Sequence, residues 1–230
     1  MPRETLDREI NQLQDEILTL GSLVEQNMLD AMKALRNRHK EQTQKVFQVD
    51  QVVNQKRFAI ESSTLLVIAT QQPMAHDLRQ LAAILEVANE LERIGDYAKG
   101  IAKINILIDY EIIDAPLRDL EKMAETAVGM LHRSLTAFIA EDIELARAIP
   151  AEDDIVDDLY KTVYRKLVAS MIANPEVIDY ANYYLWAAHN LERSADRVSN
   201  ICERTIFVVT GELLEVASND QDLLESGAIN

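Results

Sequence analysis

The same sixteen-residue pattern occurs twice in this chain, a hundred positions apart. Residues 88–103, ANELERIGDYAKGIAK, align without a gap on residues 188–203, AHNLERSADRVSNICE, and six of the sixteen positions are identical. Self-similarity at a fixed offset is typical of a duplicated structural unit. The length of 230 residues also suits two domains of about 110 residues each. The chain is therefore predicted to fold as two copies of one unit.

Each unit is predicted to be helical throughout. The chain has only 6 Gly and 5 Pro, and 5% of its residues are aromatic, a composition that disfavours sheets and turn-rich folds. Apolar residues recur instead at the three- and four-residue spacing of an amphipathic helix. The clearest stripe consists of Leu6, Ile10, Leu13, Ile17, Leu20 and Val24.

Proline and capping residues divide the chain into two sets of three long helices. The residue before a proline resists helical geometry, whereas proline itself suits a first helical turn. Pro150 lies inside the fifth expected helix and predicts a kink or a short break there. The expected helices cover residues 4–35, 41–69, 74–109, 114–140, 142–173 and 174–216. The predicted fold class is all-α, with two tandem, pseudo-symmetric three-helix bundles at 1–112 and 113–218 and a polar tail at 219–230.

The formal net charge of −16 restricts the classes of partner. An acidic surface repels the phosphate backbone of nucleic acids and anionic lipid surfaces, and it attracts cations and basic proteins. No secretion signal or membrane-spanning apolar run is visible, so we expect a cytoplasmic protein without direct membrane insertion. The single cysteine, Cys202, excludes an intrachain disulfide, and a small buried apolar role is the favoured interpretation.

Two carboxylate pairs stand at equivalent places in the duplicated segment. Glu92 and Asp96, like Glu192 and Asp196, are four residues apart, so each pair projects from one face of a helix. A helical wheel places the pairs beside the apolar stripe rather than within it, which predicts sites on the bundle surface. An acidic flank in water, balanced by arginine neighbours, is the alternative interpretation.

A second acidic pair precedes each of these on the middle helix. Asp153 and Asp157 align with Asp50 and Asn54 at an offset of 103. If the two helices are antiparallel, the pairs face each other and gather several carboxylate oxygens. Such oxygen ligands suit Mg²⁺, Mn²⁺ or iron, with Zn²⁺ also possible.

Catalytic motifs are not visible in the sequence. It has no glycine-rich phosphate loop, Walker lysine or nucleophile elbow. His189 lies three residues before Glu192 and shares its helix face, but a surface histidine without a metal is the favoured interpretation. The Glu-x-x-His spacing of di-iron enzymes does not occur. An enzyme is therefore not indicated, and no cofactor is expected for catalysis.

The motifs QQPMAHDLRQL, LERIGDYAKGIA and NLERSADRVSNICE resemble those of the PhoU family of phosphate-signalling regulators. The resemblance covers nearly the whole chain. It implies tandem three-helix bundles that in some members hold iron or other divalent metals through Glu/Asp-x-x-x-Asp motifs. Asn54 departs from the acidic pattern, and the second half lacks the Asp-Leu-Arg lead-in of residues 77–79. Carried over by position, the implied ligands are Glu92, Asp96, Glu192, Asp196, Asp153, Asp157 and Asp50, with Asn54 and His189 doubtful.

The resemblance also implies a negative regulator of phosphate uptake and phosphate-starvation signalling. Its implied partners are the ATPase subunit of the phosphate ABC transporter and the phosphate sensor histidine kinase, with a homodimer expected. The protein would be recruited peripherally to inner-membrane complexes. Two alternatives stay open: a carboxylate-metal enzyme and a structural helical protein without ligands.

Overall fold

A computed structural model describes residues 2–108 and 116–213 of the chain. Every regular element in these residues is a helix, which confirms the predicted all-α class. The expected boundary between bundles at 112/113, the start of the fourth helix at 114 and the tail at 219–230 lie outside the described residues. The first half contains α1 Pro2–Asn37, α2 Lys40–Gln71 and α3 His76–Leu107. The second half contains α4 Leu117–Ala140, α5 Ile143–Ala148, α6 Asp153–Ala173 and α7 Ile178–Thr210.

The expected interruption at Pro150 divides the fifth predicted helix into α5 and α6. The two are joined by a 3₁₀ turn, Ile149–Glu152, that has the proline in its first turn. Pro150 has no backbone N–H to give to an α-helical hydrogen bond, so the tighter turn replaces the α-helix locally. The consequence is that α6 begins at Asp153, the first residue of the predicted acidic pair.

Side-chain caps mark two of the predicted helix starts in the second half. The Asp142 carboxylate accepts a hydrogen bond from the Leu145 N–H at 3.0 Å. The Asn174 side chain accepts one from the Glu176 N–H at 3.1 Å. Each oxygen satisfies a backbone donor that has no partner in the first helical turn.

The sequence-based expectation for the last helix is wrong at its C-terminal end. The structure ends α7 at Thr210 instead of 216, and Gly211 follows with a φ of 79°. This left-handed conformation suits glycine and lets its N–H bond to the Phe207 carbonyl at 2.8 Å, a common helix ending.

The apolar stripe of α1 is buried along its whole length, as predicted. All six of its residues are at most 7% exposed and belong to one hydrophobic cluster that extends through both halves. Complete burial of such a side chain stabilises a fold by about 1.5–3 kcal/mol. Cys202 is also buried, as expected, and burial raises the pKa of its thiol to about 12. The two halves therefore share one core.

That core forms where the first and last helices of each half meet. Helix α1 packs against α4, and α3 packs against α7, while α2 and α6 lie on the outer sides of their own halves. Gly21 on α1 permits a close approach, because an added Cβ would overlap Leu135 Cδ1 on α4. Polar pairs at the margin join the same helices, including Arg36 with Glu121 at 2.7 Å.

The Asp-Leu-Arg lead-in to α3, which the second half lacks, has a structural role. Asp77 forms an ion pair with Arg3 at the start of α1. The Arg79 Nε donates to the Val208 carbonyl in the last turn of α7 at 2.9 Å. A cation at this end of a helix also interacts favourably with the helix dipole. The segment thus ties α3 to two helix ends.

Candidate metal centre

The second carboxylate cluster lies between α6 and α7. Asp153 and Asp157 occupy successive turns of α6, and Glu192 and Asp196 occupy successive turns of α7. Asp153 interacts electrostatically with all three of the others, and Glu192 with both Asp157 and Asp196. The structure therefore brings together the four residues that the sequence singled out. We call this group the second cluster.

The second cluster holds its negative charges at a cost. Burial, the largest cause, and the negative charges of Asp196, Asp157 and Glu192 together raise the pKa of Asp153 to about 7. Burial also raises the pKa of Glu192, with an added contribution from Asp196. Both shifts oppose ionisation. A cation placed among these oxygens would remove the repulsion.

Two oxygens of the second cluster are buried and accept no hydrogen bond from the described residues. They are Asp153 Oδ1 and Glu192 Oε2. His189 Nδ1 lies 3.2 Å from Glu192 Oε2, where a protonated imidazole would form an ion pair. Buried carboxylate oxygens are normally paired or bound to a cation. These two are the strongest indication of a ligand in this half.

The first carboxylate cluster lies between α2 and α3 and is built differently. Asp50 on α2 is buried, with only 2% of its surface exposed. The surface position that the helical wheel predicts for Glu92 and Asp96 therefore does not apply to Asp50. Its Oδ2 accepts a hydrogen bond from the Lys99 Nζ at 2.6 Å. Glu92 is half-buried, Asp96 is more exposed, and burial raises the pKa of both carboxyl groups. We call Asp50, Glu92 and Asp96 the first cluster.

Asn54 does not extend the first cluster with a further oxygen. Its side-chain Nδ2 donates to the backbone carbonyl of Asp50 at 3.1 Å, so the amide is engaged with its own helix. Asn54 carries no charge, whereas its counterpart Asp157 is a carboxylate. The first cluster therefore has three carboxylates and the second has four.

Two cations beside the first cluster were missed by the sequence analysis. Lys99 also lies 3.9 Å from Asp96 Oδ1, and Arg57 attracts the Glu92 carboxylate while bonding to Glu61 at 2.6 Å. The spacing of Asp96 and Lys99 was a visible signal, because residues three apart are neighbours on a helix. The importance of Lys99 depends on its bond to Asp50, and only the packing of α2 on α3 brings these two residues together.

The donor sets of the two clusters fit a metal ion unequally. The second cluster offers four carboxylates and two buried oxygens without hydrogen bonds, a set that hard divalent cations prefer. The first cluster already contains the ammonium group of Lys99, so its donor set does not fit a metal ion. Within residues 2–108 and 116–213, no three Asp, Glu, His or Cys side chains are positioned as they stand to hold one ion. Coordination in the second cluster would require side-chain rotation.

Over the part of the chain that is described, no helix is long and apolar enough to cross a bilayer. The sequence model of the PhoU domain matches the chain twice, at residues 17–104 and 120–205. The two matches correspond to the two halves.

Curated relatives and solved structures agree with that match. The phosphate-specific transport system accessory protein PhoU of Escherichia coli is 33% identical over 220 residues, which are 95% of this chain and 91% of the relative. The PhoU homolog of Clostridium acetobutylicum is 29% identical over 94% of this chain and 99% of the relative. The crystal structure of PhoU from Pseudomonas aeruginosa superposes with a TM-score of 0.84 at 31% identity, covering 90% of this chain and 99% of the other. That of the phosphate transport system regulatory protein PhoU from Streptococcus pneumoniae gives 0.83 at 30% identity, covering 91% and 99%. The chain belongs to the PhoU family.

Proposed function

We propose that this protein is a negative regulator of phosphate uptake and of phosphate-starvation signalling. The observation that carries the proposal is the match to the PhoU family in both halves of the chain. It is supported by relatives that are phosphate-specific transport system accessory proteins and that align over nearly their full length. In this role the protein inhibits high-affinity phosphate uptake when phosphate is plentiful.

The regulator acts as an adaptor in the cytoplasm. It contacts the ATPase subunit of the phosphate ABC transporter and the phosphate sensor histidine kinase, and it is recruited peripherally to these inner-membrane complexes as a homodimer. The net charge of −16 supports binding to basic surfaces of protein partners rather than to nucleic acid. The hydrophobic core shared by both halves supports an adaptor in which the two halves move as one unit.

The second cluster gives this regulator a cation site. Asp153, Asp157, Glu192 and Asp196 would hold iron, Zn²⁺, Mn²⁺ or Mg²⁺ through oxygen atoms. The buried oxygens without hydrogen bonds support this assignment. Cation binding would draw α6 and α7 together, and a state that binds the cation better is favoured by its presence.

The proposal is tested by deleting the gene in its host and measuring the expression of a phosphate-regulated reporter. We expect constitutive expression in phosphate-rich medium and its reversal by the wild-type gene. Affinity purification of the tagged protein should recover the transporter ATPase or the sensor kinase. Unchanged expression together with recovery of neither partner contradicts the regulatory role.

A second measurement addresses the cation site within that role. The double change Glu192→Gln and Asp196→Asn should weaken repression without unfolding the protein, because both side chains lie beside the core. Asp158→Asn is the matched control, since Asp158 lies on α6 with its side chain 81% exposed. Full repression by the double variant favours a structural role for the cluster. Enzymatic turnover lost in the same variant would favour a carboxylate-metal enzyme.

A further inference from the structure

The first cluster contains a built-in cation at its centre. The Lys99 Nζ is 2.6 Å from Asp50 Oδ2 and 3.9 Å from Asp96 Oδ1. Asp50 contributes a carboxylate whose side chain is only 3% exposed. The ammonium group thus bridges the carboxylate on α2 and a carboxylate on α3. A metal ion held by both of these carboxylates would have to displace the ammonium group.

A second cation compensates the remaining carboxylate of the first cluster. Arg57 on α2 attracts Glu92 across the same groove while its Nη1 lies 2.6 Å from Glu61 Oε2 on the next turn. Its guanidinium also stacks over the Phe58 ring at 4.0 Å from the centroid. These contacts fix the guanidinium beside the cluster.

The second cluster has neither of these cations. At the offset of 100, Lys99 corresponds to Ser199, and at the offset of 103, Arg57 corresponds to Tyr160. Both counterparts are neutral at pH 7. Arg93 and Arg193 stand at equivalent positions in the two units, and Arg193 Nη1 lies 3.7 Å from Asp196 Oδ2. The units therefore differ by Lys99 and Arg57: one carries three carboxylates with these two added cations, and the other carries four carboxylates without them.

We propose that Lys99 is the resident counterion of the first cluster and that it excludes divalent cations from this half of the protein. A tethered ammonium group competes with a metal ion at a high effective concentration. A divalent cation would also meet repulsion from two positive charges and would have to displace a hydrogen bond to a buried carboxylate. The chain thus has one half that is open to metal and one half that is neutralised internally. The inference is independent of the regulatory role proposed above.

The inference predicts that removing Lys99 creates a metal site. Asp50 would then be a buried carboxylate without a counterion, a strongly unfavourable state, and its Oδ1 already accepts no hydrogen bond from the described residues. Replacement by the residue of the second half, Lys99→Ser, should lower the melting temperature in EDTA. Added Mn²⁺ should restore it.

The experiment uses calorimetric titration of the full chain with Mn²⁺. A background carrying Asp153→Asn and Glu192→Gln removes the second cluster from the measurement. With Lys99 intact, this background should bind no Mn²⁺ at the first cluster. Adding Lys99→Ser should create Mn²⁺ binding at least about tenfold tighter than the weakest binding that the titration detects. The Lys99→Arg variant, which retains the positive charge, should still bind no Mn²⁺ at the first cluster.

The matched control is Lys103→Ser, one turn further along α3 at an exposed position. It should leave Mn²⁺ binding unchanged. If Lys99→Ser does not fold, Lys99→Gln keeps the length and a hydrogen-bond donor and tests the same loss of charge. Mn²⁺ binding by the background with Lys99 intact, abolished by Asp50→Asn, overturns the inference. So does a folded Lys99→Ser or Lys99→Gln variant that gains no Mn²⁺.

Discussion

The Asp153 carboxyl group should make the stability of the cation-free protein depend on pH. Its pKa is about 7 in the folded chain, against 3.8 for an ordinary aspartate, because burial and neighbouring carboxylates oppose ionisation. A carboxyl group whose pKa is raised by folding contributes its full stabilisation below the unfolded pKa and loses it as the pH rises through the folded pKa. The free energy of unfolding should therefore fall between about pH 4 and about pH 7.

The size of this loss follows from the two pKa values. A rise from 3.8 to about 7 corresponds to at most about 4 kcal/mol. Because the Asp153 side chain is only partly buried, solvent screening reduces this to about 2 kcal/mol over the whole range. About half of the change should occur between about pH 5.5 and about pH 8, which is about 1 kcal/mol.

Asp153→Asn isolates this contribution, because it removes the charge and keeps the shape. The free energies of unfolding of the variant and the wild-type protein are measured by urea unfolding in EDTA across this pH range. The difference in favour of the variant should grow by about 1 kcal/mol toward higher pH. Mn²⁺ at the highest pH should stabilise the wild type more than the variant.

The exposed Asp158→Asn on the same helix should show no such growth. If the curves of the Asp153→Asn variant and the wild type run parallel throughout, the carboxyl group is ionised in the folded protein without cost. The second cluster would then have no electrostatic repulsion for a cation to relieve.

Two other predictions concern the contacts that hold the halves together. Arg79→Ala should lower the free energy of unfolding by about 2 kcal/mol, since it removes a charged hydrogen bond to the Val208 carbonyl. Hydrogen exchange at the end of α7 should also accelerate. Unchanged exchange at that helix end contradicts the capping role. Gly21→Ala should cost about 1–3 kcal/mol through overlap with Leu135. Gly129→Ala, which meets nothing within 4 Å, should instead stabilise by up to about 1 kcal/mol. Urea unfolding distinguishes the two, and equal effects would refute the close approach of α1 and α4.

Much of the fold was predictable because local rules and burial agree. The stripe from Leu6 to Val24 has helical spacing, and the structure buries all of it. Pro150 interrupts a helix for a reason that holds in any context. The end of α7 was missed although Gly211 was a visible signal of a helix terminus.

The properties of the carboxylate clusters were less predictable, because they depend on packing between helices. A wheel places Glu92 and Asp96 beside the core from their own helix alone. The burial of Asp50 and its bond to Lys99 require the register of α2 against α3. The packing of the two halves through α1 with α4 and α3 with α7 is likewise absent from any local pattern. The inequality of the halves thus became clear only when neighbouring helices were considered together.

Anomalous diffraction from crystals of the wild-type protein, grown or soaked with Mn²⁺, shows directly whether the duplicated halves differ in cation binding. An anomalous peak is expected between α6 and α7, within reach of Asp153, Glu192 and Asp196. No peak is expected between α2 and α3, where Lys99 bonds to Asp50. A peak in the first cluster, or an empty second cluster at saturating Mn²⁺, would contradict this difference between the halves.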